Sequence, residues 1–234
     1  MNLLGTGYGY YDPTMLLMLP AMLFSMYAQW KVSSAMAHSQ NIANHRGMTG
    51  FDAARYLLDR QGLYQVQVEE TTRGDHYDPT KKVVRLSPNV GRGSSLTSLG
   101  VAAHEVGHAV QHSQAYAPLA FRTGFFPVAN FGTMASWPLI IFGLMLSMPM
   151  LINIGIVVFC GVVVFQIITL PVEYNASARA LQMLSSQGLL SSDEEKSVKS
   201  VLSAAALTYV AAAAAAIFTL LRYFLLAQNS RRRR

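Results

Sequence analysis

Four long stretches of this chain contain no charged residue, and they limit its possible folds more than any other feature. They run from about Thr14 to Trp30, Val128 to Ser147, Met150 to Leu170 and Ser203 to Leu221. A helix needs ~20 largely apolar residues to cross a bilayer, where the backbone must satisfy its own hydrogen bonds. Composition agrees: 52% of the 234 residues are hydrophobic and 13% are charged, an apolar balance for a soluble chain of this size. The expected fold class is therefore a mostly α membrane protein with about four transmembrane helices.

The first stretch is short and contains Pro20, which predicts a kink or a small tilt. Ala35-Met36-Ala37 resembles a signal-peptidase site. However, no Lys or Arg precedes the apolar run, and Gln29-Trp30-Lys31 interrupts it before that site, so a retained span is expected. The second and third stretches are separated only by Met148-Pro149 and read as a tight hairpin. The fourth is built around Ala211 to Ala216, and its small side chains suit close helix packing.

Between the first two spans lies a polar stretch, Lys31 to Arg122. Thr49-Gly50-Phe51-Asp52 followed by Ala53, Ala54, Leu57 and Leu58 predicts a capped amphipathic helix ending at Gly62. Val66 and Val68 alternate with polar residues as in a half-buried strand, and Lys81 to Leu86 reads as a second strand after the Asp78-Pro79 turn. Ser94 or Ser95 caps a helix that continues through Leu99 and Ala103. The expected organisation is an N-terminal segment with the first span (1–31), a small α+β zincin-like domain (32–125), a transmembrane hairpin (126–170), a connecting segment (171–202), and the fourth span with a basic tail (203–234).

That last predicted helix carries His104-Glu105-Val106-Gly107-His108. Residues four apart share one helix face, so both imidazoles can meet one ion. Zinc brings the pKa of water down to ~7, and Glu105 lies beside the first histidine, placed to take the proton. Chance would supply only about 0.004 such motifs in a chain of this composition. A pair of hydrogen-bonded helix histidines with an intervening acid is the bland alternative. The predicted cofactor is one Zn2+ per chain, with His104 and His108 as ligands and Glu105 as general base.

A catalytic zinc needs a third protein ligand. The metzincin pattern would place histidine at 114, where this chain has Gln114. His112 is eight residues from His104, ~12 Å of helix rise, too far to share the ion; His38, His45 and His76 stay open. Glu173 is the stronger candidate. It follows the third span, where a carboxylate is costly unless paired, and two spans separate it from the motif, so both lie on one side of the membrane.

The stretches Asp75-His76-Tyr77-Asp78-Pro79, Val84-Arg85-Leu86-Ser87 and Ala103 to Gln111 closely resemble the YugP-type bacterial membrane zinc metallopeptidases. The resemblance runs over nearly the whole chain. It is more distantly similar to the HtpX and Ste24 peptidases, in which the third-ligand glutamate is followed by Ala-Asp. Here Glu173-Tyr174-Asn175-Ala176-Ser177 carries serine in place of that aspartate. The resemblance implies His104, His108 and Glu173 as metal ligands, Glu105 as base, a protein or peptide substrate, and a multi-pass location in the bacterial cell (inner) membrane. On the helix of Glu173, Arg179 is placed to stabilise an oxyanion, and Val83 to Ser87 is expected to be the strand edge that receives an extended substrate.

Two other functions fit the same residues: a zinc hydrolase of a small amide or lipid, and a non-catalytic scaffold stapled by zinc. The net charge of +6 does not imply a nucleic-acid partner, because no aromatic-interleaved basic patch accompanies the Arg231 to Arg234 tail. Orientation stays open. The tail marks its own end as cytoplasmic by the positive-inside rule, while Lys31, Arg46, Arg122, Arg179, Lys196 and Lys199 flank the opposite side.

Overall fold

The computed structural model describes residues 13–232. A 3-10 turn (η1, Pro13–Met18) leads into α1 (Leu19–Gln40). Pro20 falls in the first turn of α1, where its missing N–H breaks no helical bond. The proline thus begins the helix instead of kinking it. After it come α2 (Gly50–Arg60), β1 (Gln67–Glu70), β2 (His76–Asp78), β3 (Val83–Leu86), α3 (Pro88–Gly91) and α4 (Leu96–Ser113). The chain ends in three long helices, α5 (Ala117–Met145), α6 (Pro149–Ser186) and α7 (Ser192–Arg232).

Helices α5, α6 and α7 are long and apolar enough to cross a membrane. Helix α1 does not join them on that measure, because only its first half is apolar and Lys31, Ser33, Ser34 and His38 follow. Helix α6 packs between α5 and α7, and α7 lies against α1. The α5–α6 hairpin is close-packed at small residues: a Cβ on Gly155 would stand 2.7 Å from Ile140 and 3.1 Å from the Ser136 carbonyl.

The polar segment folds as its patterning predicts in α2 and α4. Thr49 caps α2 through a reciprocal capping box with Asp52, and Ser95 Oγ accepts the Ser98 N–H at the start of α4. Ala53, Ala54, Leu57 and Leu58 of α2 are fully buried against Leu99, Ala103 and Val106 of α4 and Val84 and Leu86 of β3. The same core takes in Ala180, Met183 and Leu184 of α6 and Val198 and Leu202 of α7. The two long helices therefore run past their apolar lengths and become walls of the polar half.

The sheet has the order β1-β3-β2, with β1 parallel and β2 antiparallel to β3. The strand at Val83 to Leu86 is central and already paired on both sides, so it cannot be the edge that receives a substrate. The sheet's two edge strands are β1 and β2, and the second of these is a three-residue strand within the stretch read from sequence only as a turn. Asp78 holds this strand in place. Its carboxylate accepts from Arg85 at 2.8 Å and from the Thr80 and Lys81 N–H groups. The Arg85 hydrogen bond, followed by that from Lys81, keeps its pKa below the ordinary aspartate value. Of the basic tail, Arg233 and Arg234 lie outside the described residues.

Candidate metal centre

The site is made where α4 crosses α6. Gly107, between the two motif histidines, permits the crossing: a Cβ there would stand 2.6 Å from the Ala176 carbonyl oxygen of α6. Close approach brings one turn of α4 against the turn of α6 that carries Glu173. The carboxylate is 2% exposed, and its Oε2 lies 3.2 Å from His104 Nε2 and 3.6 Å from His108 Nε2. The three ligand atoms all lie within 4.8 Å of one another, and no other such group occurs among the described residues. Two ligands bound to zinc at ~2.1 Å in tetrahedral geometry stand ~3.4 Å apart, so two imidazoles and one carboxylate at these spacings fit that ion.

The outer nitrogens are also held. His108 Nδ1 is 3.0 Å from Gln111 Oε1, and His104 Nδ1 is 3.2 Å from Ser177 Oγ. Gln111 is fully buried; its Nε2 donates to the Val172 carbonyl at 2.8 Å and to Asn175 Oδ1 at 2.9 Å. Its oxygen must therefore face His108, which makes Nδ1–H the donor and leaves Nε2 free for a metal. The serine in place of aspartate at 177 keeps a partner for His104, a neutral hydroxyl instead of a charge.

Glu105 is largely buried and lines a cavity of about 780 Å³ together with His104, His108 and Glu173. The cavity also takes in residues 75–79, which include β2, and Arg122, Phe126, Phe165 and Tyr209 from the long helices.

The sequence profile of a family described as "Putative neutral zinc metallopeptidase" matches residues 14–228. The chain belongs to that family. It is also 46% identical over 189 residues to "Putative membrane protease YugP" of Bacillus subtilis (strain 168), covering 80% of this chain and 84% of that protein. No solved structure matches it.

Within this family member, the predicted site residues separate into two groups. His104, Glu105, His108 and Glu173 are brought together. Arg179 is not: its Nε donates to Asn175 Oδ1 and its Nη1 to Gln114 Oε1, both at 2.7 Å, and it does not line the cavity. Its guanidinium is engaged on the outside of the α4–α6 junction. Arg122 stands beside the cluster instead, with Nη1 3.1 Å from Glu173 Oε1.

The other histidines have separate tasks. His112 Nδ1 is 2.8 Å from the Tyr77 hydroxyl, and burial, followed by the Asp78 charge, pushes the Tyr77 pKa up to about 12. The phenol thus stays protonated at neutral pH and remains bonded to the ring in either tautomer of His112. His45 pairs with Glu194 and donates a second bond to that carboxylate from its own backbone N–H, while His76 Nδ1 lies 2.9 Å from the Gly74 carbonyl. The sequence marked Ser177 only as the serine in place of an aspartate, and it gave no site role to Arg122, Tyr209 or Gln111. Arg122 carried a signal of its own: a charge six residues before the apolar run at Val128 stands close enough to the membrane to need a partner.

Proposed function

We propose that this chain is a multi-pass membrane zinc metallopeptidase of the bacterial cell membrane, with α1 and η1 supplying a fourth span. His104, His108 and Glu173 hold one zinc, and Glu105 is the general base. The observation that carries the reading is the convergence of three ligand atoms within 4.8 Å on the wall of a cavity that also contains Glu105. A zinc ion there would supply a Lewis acid and an acidified water.

The remaining chemistry belongs to the chain. Glu105 accepts the proton of the attacking water and delivers it to the leaving amine, which needs a carboxylate within reach of both. Arg122 occupies the outer oxygen of Glu173, so the inner oxygen faces the histidines. Tyr209, which lines the cavity beside Glu105 and Glu173, is placed to donate to the oxyanion in the role first considered for Arg179. The backbone of an extended substrate adds to the free edge of β2.

The test compares cleavage of one protein, folded and unfolded, by wild type and Glu105→Gln in detergent at matched zinc content. Wild type is expected to cut the unfolded form only, since a folded substrate offers no free strand to β2. Loss of the base is expected to slow cleavage by roughly 10²–10⁴-fold. Equal cleavage by both proteins would remove Glu105 from the mechanism, and equal cleavage of folded substrate would remove the β2 docking.

A further inference from the structure

We propose that Tyr77 and His112 are positioning residues for the substrate. Their hydrogen bond ties strand β2 to the helix that carries the metal-ligand histidines, and so sets where an extended chain lies relative to the metal centre. The inference rests on the peptidase reading and on the β2 docking above.

His112 continues the row begun by His104 and His108. Residues four apart share one helix face, so the third histidine stands one turn, ~6 Å, beyond the second. It is not in the ligand group, which closes with Glu173. Its ring instead faces Tyr77, with Nδ1 2.8 Å from the phenol oxygen and the ring centres 5.8 Å apart. The phenol donates to a bare Nδ1 or accepts from Nδ1–H, so the tie holds whichever ring nitrogen carries the proton.

Strand register explains why Tyr77 is the residue that reaches α4. Directly opposite residues of an antiparallel pair put their side chains on one face of the sheet. Tyr77 stands opposite Val84, which is fully buried in the core shared with α4, and Tyr77 packs against that same core. Asp78, one residue on, points the other way and meets Arg85 of β3. Residues 75–79 also line the 780 Å³ cavity with His104, Glu105 and His108.

Little else fixes β2 against the metal helix. The strand has three residues, pairs with β3 on one side only, and is tied by Asp78 to the sheet and not to α4. Among the described residues, the Tyr77–His112 bond is the only side-chain hydrogen bond between β2 and α4. Without it, β2 is docked on α4 for a smaller fraction of the time, and the substrate must order the strand as it binds. Apparent affinity falls in proportion to that fraction. The reacting groups are untouched, so KM carries the effect and kcat does not.

The test measures KM and kcat for an unstructured peptide, using the full-length zinc-loaded protein in detergent. Loss of one neutral hydrogen bond predicts a roughly 3- to 10-fold rise in KM in Tyr77→Phe and in His112→Ala. Both should keep kcat and one zinc per chain, and the double variant should be no worse than either single one. His112→Asn, whose amide oxygen falls where Nδ1 stands, should recover most of the wild-type KM. A second peptide, N-methylated at alternate residues, cannot add to a strand edge. Wild type should bind it more weakly than the parent peptide, and Tyr77→Phe and His112→Ala should show a smaller difference. An unchanged KM in both zinc-loaded variants, or a methylation penalty as large in them as in wild type, overturns this inference alone. No methylation penalty in wild type removes the β2 docking and this inference with it. Absence of any Glu105-dependent cleavage overturns the peptidase reading as well.

Discussion

The tautomer of His108 is set by what Gln111 does with its other end. Both hydrogens of the Gln111 amide go to acceptors on α6, and only its oxygen is left for the imidazole. Losing such an outer partner typically weakens metal affinity 10- to 100-fold. Gln111→Ala should fall in that range, because Gln111 is 0% exposed and water has no path to replace it. Ser177→Ala should cost less, since His104 keeps 15% of its side chain exposed. Zinc titration against a competing chelator measures both, and an equal or larger loss in Ser177→Ala would contradict this ranking. At this scale the sequence was informative where one helix turn supplies the chemistry. His104, Glu105 and His108 are legible because 3.6-residue periodicity alone puts them together. Gln111, Arg122 and Tyr209 are not, because their roles depend on which helix crosses which.

Each long helix outruns its apolar core. Met150 to Leu170 reads as a span, yet α6 continues to Ser186 and carries Glu173, Ser177 and the core residues Ala180 and Leu184. Hydropathy marks only the length suited to lipid, and the polar continuation has no comparable signal. Strand β2 was illegible for another reason: three residues, two of them polar, have no pattern beside the Asp78-Pro79 turn. Gly107 decides how these elements meet. Alanine gains about 1 kcal/mol over glycine in a helix interior, but overpacking against the Ala176 carbonyl costs typically 1–3 kcal/mol, and here the obstacle is backbone. Gly107→Ala should therefore lower the melting temperature and the zinc content together, by pushing α4 away from α6. A variant that melts higher and keeps its zinc would show that the crossing is not tight.

Over the whole molecule, metal ligands on two helices separated in sequence by the α5–α6 hairpin must come to the same face of the bilayer. The sequence makes that much legible, since an even number of crossings lies between His108 and Glu173. Which face it is depends on flanking charges that point both ways. The arrangement predicts a labelling pattern in a Cys160→Ala background. Tyr64→Cys and Asp193→Cys, both highly exposed, should react with an impermeant thiol reagent from one side, and Ser147→Cys in the hairpin turn from the other. Labelling of all three from one side would break the spanning hairpin. The central claim, that α4 and α6 jointly build one zinc site, is tested most directly by zinc content and zinc-edge X-ray absorption on the full-length protein and on Glu173→Ala. The account predicts one zinc per chain with two imidazole nitrogens and a carboxylate oxygen at ~2.0–2.2 Å, and loss of that oxygen with a large loss of affinity in the variant. The same zinc content and the same coordination shell in Glu173→Ala would contradict it.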